Sequence, residues 1–210
     1  MKANFGAFCT LVLGIALIHT KGLGQEFQTD LSPTQTSDST FLEFQKRLEA
    51  SKKHPDQPRE IVQSHIGLGE YYHALGLYSE AMDQYNGALE QMGTDLSDTL
   101  YITLNNNIGR VYLSQNNFDL AEQHFTDTMN RSLELNHSVG RANSMALLGA
   151  CYEKQGEYDK ALAYQKESLL LFEQLEDKHG VAITNENIGS IYEDLEQFDL
   201  AHQYFDKSYG

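Results

Sequence analysis

Tryptophan is absent from this chain, proline occurs three times and cysteine twice, and 15 basic residues stand against 30 acidic ones. So little proline, beside 40% hydrophobic residues, excludes collagen-like and proline-rich disordered classes. The shortage of positive charge, a formal net of −15, repels nucleic acid and anionic membrane surfaces. Several motifs are missing altogether: Cys-x-x-Cys, His-Glu-x-x-His, an EF-hand loop, Gly-x-Ser-x-Gly and a glycine-rich phosphate cradle. Their absence leaves metal, cofactor and catalytic roles without a motif, and neither an enzyme nor a cofactor is expected. The pairs Glu70-x-x-His73 and Asp199-x-x-His202 put a carboxylate and an imidazole one helical turn apart, but in distant segments, so they read as solvated polar faces.

Long apolar runs are scarce too. The longest, "AFCTLVLGIALI" (7–18), follows Lys2 and precedes the small residues Gly22 and Gly24. That order of basic start, short apolar core and small residues is that of an export signal. Its twelve residues fall short of the ~20 that a membrane-spanning helix needs. Residues 1–24 are therefore expected to be a cleaved signal peptide, the alternative being an uncleaved anchor with the rest of the chain outside the cytoplasm. Cleavage would remove Lys2, Lys21 and Cys9, leaving Cys151 as the sole thiol and no intrachain disulfide. Cys151 is then expected to be a small buried hydrophobe. Two glycosylation sequons begin at Asn130 and Asn136, and they matter only in a host that glycosylates exported proteins.

What the sequence does have is repetition, with a period of 40 and no gaps. An aliphatic–Gly–x–x–Tyr cluster recurs at Leu68-Gly69-Tyr72, Ile108-Gly109-Tyr112, Leu148-Gly149-Tyr152 and Ile188-Gly189-Tyr192. Each is followed by an aromatic (Tyr78, Phe118, Tyr158, Phe198), a capping-type residue (Ser79, Asp119, Asp159, Asp199) and an alanine (Ala81, Ala121, Ala161, Ala201). Spacing of i, i+4 puts the aliphatic residue and the tyrosine on one helical face. The glycine between them is a poor helix former, so it marks a close approach by a neighbour. Gly76, Asn116 and Gly156 suit the left-handed stop of that first helix, and Glu196 breaks the pattern. Ser79 and the three aspartates are expected to cap the second helix, and Tyr85, Phe125, Tyr164, Tyr204 and Phe205 to fill the space between hairpins. One hairpin cannot bury its apolar face alone, so the copies must stack.

These residues resemble the tetratricopeptide repeat in its 40-residue variety, over about 62–210. The resemblance implies an all-α fold: an α-solenoid of stacked antiparallel helix hairpins winding as a right-handed superhelix. The repeats would span 62–101, 102–141, 142–181 and a truncated 182–210, within an array covering 58–210. Ahead of them, 25–57 reads as a polar linker ("SPTQTSDST", 32–40) with a leading helix over 41–53. The last copy stops at "YFDKSYG" without a polar capping element, which suggests the front part of a longer protein.

The resemblance also implies a ligand groove on the concave face, lined by the first helix of each copy. Carried over position by position, the contacting residues are Glu70, His73, Asn106, Asn107, Arg110, Asn143, Glu153, Asn187 and Glu193. Asn107 and Asn187 are the pair best suited to grip an extended peptide, since an amide offers both donors and an acceptor. The basic clamp that some family members use for a terminal carboxylate is missing: Ile66, Glu70, Asn143 and Leu147 hold its positions in this groove. The expected partner is a protein or peptide, basic or neutral, with no nucleic acid and no membrane contact by the repeats themselves. Two functional readings follow: an exported interaction scaffold without catalysis, or the input region of a membrane-bound histidine kinase or transcriptional regulator whose output domains lie further along.

Overall fold

The computed structural model describes residues 33–51, 58–92 and 98–209, and among them only helices occur. The expected export signal at 1–24 lies outside the described residues. The helices are α1 (Pro33–Ser51), α2 (Pro58–Ala74), α3 (Tyr78–Gln91), α4 (Asp98–Ser114), α5 (Phe118–Glu134), α6 (Ser138–Lys154), α7 (Tyr158–Gln174), α8 (Lys178–Asp194) and α9 (Phe198–Ser208). They fall into two compact units, Met1–Gly93 and Thr94–Gly210.

In the first unit α1 packs on the hairpin α2–α3. Leu48 meets Ile61 and Leu68, with Phe41, Phe44 and Tyr72 closing the cluster. The ring of Phe44 lies where a Cβ on Gly67 would sit, and Phe41 stacks on Tyr71 at 4.8 Å. Helix α1 starts at Pro33 rather than at residue 41, so it takes in most of the Ser/Thr stretch expected as linker. Proline suits the first turn of a helix, where its missing N–H has no partner to lose.

The second unit stacks three hairpins, α4–α5, α6–α7 and α8–α9. Helices α4 through α8 are each 17 residues long and are separated by turns of three. All these turns close alike. After α4, Asn117 N donates to Tyr112 O at 2.8 Å and Asn116 N to Leu113 O at 3.0 Å. The same pair of bonds follows α6 and α8, ending at Tyr152 O and Tyr192 O. This closure puts its middle residue in the left-handed region, at Gly76, Asn116 and Gly156 as expected. Contrary to expectation, Glu196 keeps the pattern at φ 58°, and Asn136 and Glu176 do the same between hairpins. The cost of roughly 1–2 kcal/mol for a side chain there is offset by the two turn bonds and by the packing that follows.

The capping assignment is corrected as well. The position before each second helix is held by Leu77, Asn117, Glu157 or Gln197, with no side-chain cap bond. Ser79 and the three aspartates are the second residue of their helices, because each helix starts two residues earlier than a cap at those positions requires. There Asp119, Asp159 and Asp199 face the positive end of the helix dipole. Side-chain caps occur instead at the joins between hairpins: Gly140 N donates to His137 Nδ1 at 2.9 Å, and Gly180 N to Asp177 Oδ1 at 3.0 Å.

The repeated glycines do what their low helix propensity suggested. A Cβ on Gly109 would stand 2.5 Å from the Phe125 ring, and one on Gly189 2.6 Å from Phe205. Facing each glycine is a fully or largely buried residue from the second helix, and the repeated alanines at 121, 161 and 201 are buried beside it. Phe125, Leu148, Cys151, Tyr152 and Ile191 join Ala121 and Ala161 in one core, and Ala201 packs in a second with Ile188 and Tyr192.

Candidate functional site

In the second unit the first helices touch one another, α4 with α6 and α6 with α8, while the second helices make no comparable contact. First helices closer together than second helices give this unit an inner face of α4, α6 and α8 and an outer face of α5, α7 and α9.

The sequence-derived site residues distribute unevenly over these elements. Glu70 and His73 belong to α2 of the first unit, where Glu70 is exposed and the His73 ring tilts against Tyr78 at 5.7 Å. In the second unit Arg110, Asn143 and Glu193 are exposed, Asn187 and Glu153 are half-buried, and Asn107 is only 5% exposed. Asn106 is buried too, and its Oδ1 accepts from Thr128 Oγ1 at 2.6 Å with Ser144 Oγ 3.2 Å away. Thr128 lies on α5 and Ser144 on α6, so this amide ties three helices together inside the unit. Its oxygen is committed to packing rather than offered to a ligand, because a buried carbonyl stays satisfied only while those hydroxyls remain in place.

Glu153 behaves differently. Its Oε1 accepts from Ser190 Oγ at 2.9 Å, joining α6 to α8 across the inner face. Burial pushes its carboxyl above the usual carboxylate range, and the charge of Asp194 pushes the same way. The Ser190 hydroxyl and Lys154 work against both. The result is a carboxylate that would gain from an approaching cation. Ser190 is 37 residues away from Glu153 in sequence, so no local motif could have paired them.

Cys151, buried beneath this face, is pushed up to about 11, first by burial, and stays a thiol at neutral pH. Tyr152 is likewise raised by burial and by its bond to Glu122, donating to Oε1 at 2.6 Å. Both groups belong to the core. No helix among the described residues is long and apolar enough to cross a membrane.

Comparison with known proteins places this geometry. A model of the tetratricopeptide repeat matches residues 60–134 and 140–210, well over half the chain. No curated protein matches the sequence. Among solved structures, BtubC (BKLC) from P. vanneervenii superposes with a TM-score of 0.68 at 16% identity, covering 82% of this chain and 72% of that one. The Rap conjugation gene regulator of plasmid pLS20, in complex with the Phr* peptide, gives 0.64 at 14% identity, covering 99% of this chain and 54% of the regulator. Aspartyl phosphate phosphatase F from Bacillus subtilis gives 0.65 at 14%, covering 99% and 64%. At such identities the likeness is one of fold alone. The repeat model, the 40-residue period and the stacked hairpins agree: this chain belongs to the tetratricopeptide repeat family.

Proposed function

We propose that this chain is an interaction scaffold that holds a basic or neutral peptide segment of a partner protein along the inner face of α4, α6 and α8, without a catalytic step of its own. One observation carries the reading. Glu153, half-buried and bonded to Ser190, spans α6 and α8 on a face that also carries Asn187, Glu193 and Asp194. A lysine or arginine of the ligand relieves the strained charge of Glu153, and the Asn187 amide bonds to peptide backbone whatever its sequence. The Phr* complex of the Rap regulator supports peptide binding as a use to which this fold is put. Arg110 and Asn143 extend the same face, and Asn107, with little exposed surface, contributes least.

The scaffold works outside the cytoplasm in this reading, delivered by residues 1–24. N-terminal sequencing of the protein recovered from its host tests the cleavage, which retention of Met1 would overturn, and recovery in the cytoplasmic fraction would overturn the placement. The binding reading is tested by titrating synthetic extended peptides of basic, neutral and acidic composition against the protein and its Glu153→Gln/Asn187→Ala variant. Basic peptides should bind best, and the variant should lose about tenfold or more of that affinity at unchanged helicity. Preference for acidic peptides, or an unaffected variant, would refute it.

A further inference from the structure

The outer face of the second unit carries a groove that the inner-face reading leaves unused. Between α5 and α7, floored by α6, lies a cavity of ≈ 300 Å³. Met129 and Leu133 of α5, Met145 of α6 and Ala163 and Tyr164 of α7 make its apolar lining, and Leu133 is 56% exposed there. Three polar side chains stand around it: Asn130 on α5, Arg141 on α6 and Glu167 on α7. None of the three makes a side-chain hydrogen bond or ion pair among the described residues, although Arg131 and Glu134 close by are paired with each other at 3.1 Å. Arg141 is half-buried, whereas Glu167 is exposed.

A half-buried guanidinium beside an apolar wall, unpaired with any described residue, keeps its donors open to an incoming ligand, and a planar carboxylate is the partner its fork geometry fits. The opposing charge of Glu167 is screened by water more strongly than that of Arg141, because it is exposed. The volume is at the low end of ligand pockets and suits a single apolar residue rather than a long segment. We infer that this groove binds the C-terminal residue of a partner polypeptide: its free carboxylate on Arg141, its apolar side chain over Met129, Met145 and Tyr164, and its backbone N–H toward Glu167. A fatty acid offers the first two groups but no N–H for Glu167 and no carbonyl for the Asn130 amide, so the polar rim favours a peptide end. The site is independent of the inner face, and neither reading depends on the other.

Methionine methyl resonances test it directly. Met129 and Met145 line the groove, and Met82 on α3 of the first unit serves as an internal control. The full chain, labelled with ¹³C at its methionine methyls, is titrated with N-acetyl-leucine, with N-acetyl-leucinamide and with octanoate. The expected result is a saturable shift of Met129 and Met145 with N-acetyl-leucine, a still Met82, and affinity weaker by about tenfold or more for the amide and for octanoate. Arg141→Gln should reduce N-acetyl-leucine binding to the level of the amide, and unchanged helicity and urea midpoint of that variant report an intact fold. Equal response to acid and amide, an undiminished titration in Arg141→Gln, or octanoate binding as tightly as N-acetyl-leucine would each overturn the assignment.

Discussion

Hairpins α4–α5 and α6–α7 follow one plan and differ at its centre. In the first, Phe125 packs edge-on into the space left by Gly109, and His124 stacks on Tyr112 at 5.5 Å. In the second, Gln165 occupies the place of the phenylalanine against Gly149, and Tyr164 stacks on Tyr152 at the same 5.5 Å. Gln165 is fully buried; its Nε2 donates to Ala146 O at 3.0 Å, but its Oε1 has no partner. Helix lengths and turn hydrogen bonds are the same in both. What the repeat requires at this position is therefore a flat side chain of suitable length, and polarity is tolerated at a cost that neighbouring packing absorbs.

That difference can be broken from the strong side first. Truncating Phe125→Ala opens a cavity between α4, α5 and α6 and should cost about 3–5 kcal/mol, seen as a lower urea midpoint. The corresponding Gln165→Ala should cost clearly less, since it also removes an orphaned oxygen. Equal losses would mean that the two positions are energetically equivalent and that the unpaired Oε1 is costless. The comparison is sharpened next by Gln165→Phe, which gives the second hairpin the centre of the first. Relief of the unsatisfied oxygen should stabilise the protein by about 1 kcal/mol, and a loss of stability would show that Gly149 sits closer to α7 than Gly109 does to α5.

The smallest effect concerns pH. Burial lowers His124 below its ordinary value of 6.5, with Asp127 pulling the other way, so the folded state favours the neutral ring, whose Nδ1 donates to Asn105 Oδ1 at 3.2 Å. Its contribution is complete above about 6.5 and is lost as pH falls through the lowered folded value. Glu153 runs in the opposite direction: its raised carboxyl stabilises the fold more when protonated, so that effect fades as pH rises through its folded value. Urea midpoints at pH 7 and pH 5 should drop for the wild type and drop less for His124→Tyr, which copies the second hairpin. Identical acid sensitivity in the two proteins would remove His124 from the account.

The first unit solves the same problem with the partners exchanged. There the imidazole is on the first helix and the amide on the second, with His65 Nδ1 donating to Gln84 Oε1 at 3.0 Å, one period before Asn105 and His124. A repeat aligned by residue type misses this match, while one aligned by spacing finds it.

The sequence alone determined the period, the two helices per copy and the close approach at each glycine, because these follow from spacing along one chain and from the intrinsic poverty of glycine in helices. It placed the left-handed stops correctly where glycine or asparagine marked them. It misjudged Glu196, whose conformation is imposed by two turn bonds rather than chosen by the residue, and the aspartates at 119, 159 and 199, whose role depends on a turn length that composition does not encode. Tertiary structure alone decided that Asn106 faces inward to two hydroxyls while Glu153 meets Ser190 on the inner face. It alone set Arg141 beside two methionines on the outer one. Each of these depends on side chains from different helices coming within a few ångströms, and sequence spacing reports distance along a helix, never the distance between helices.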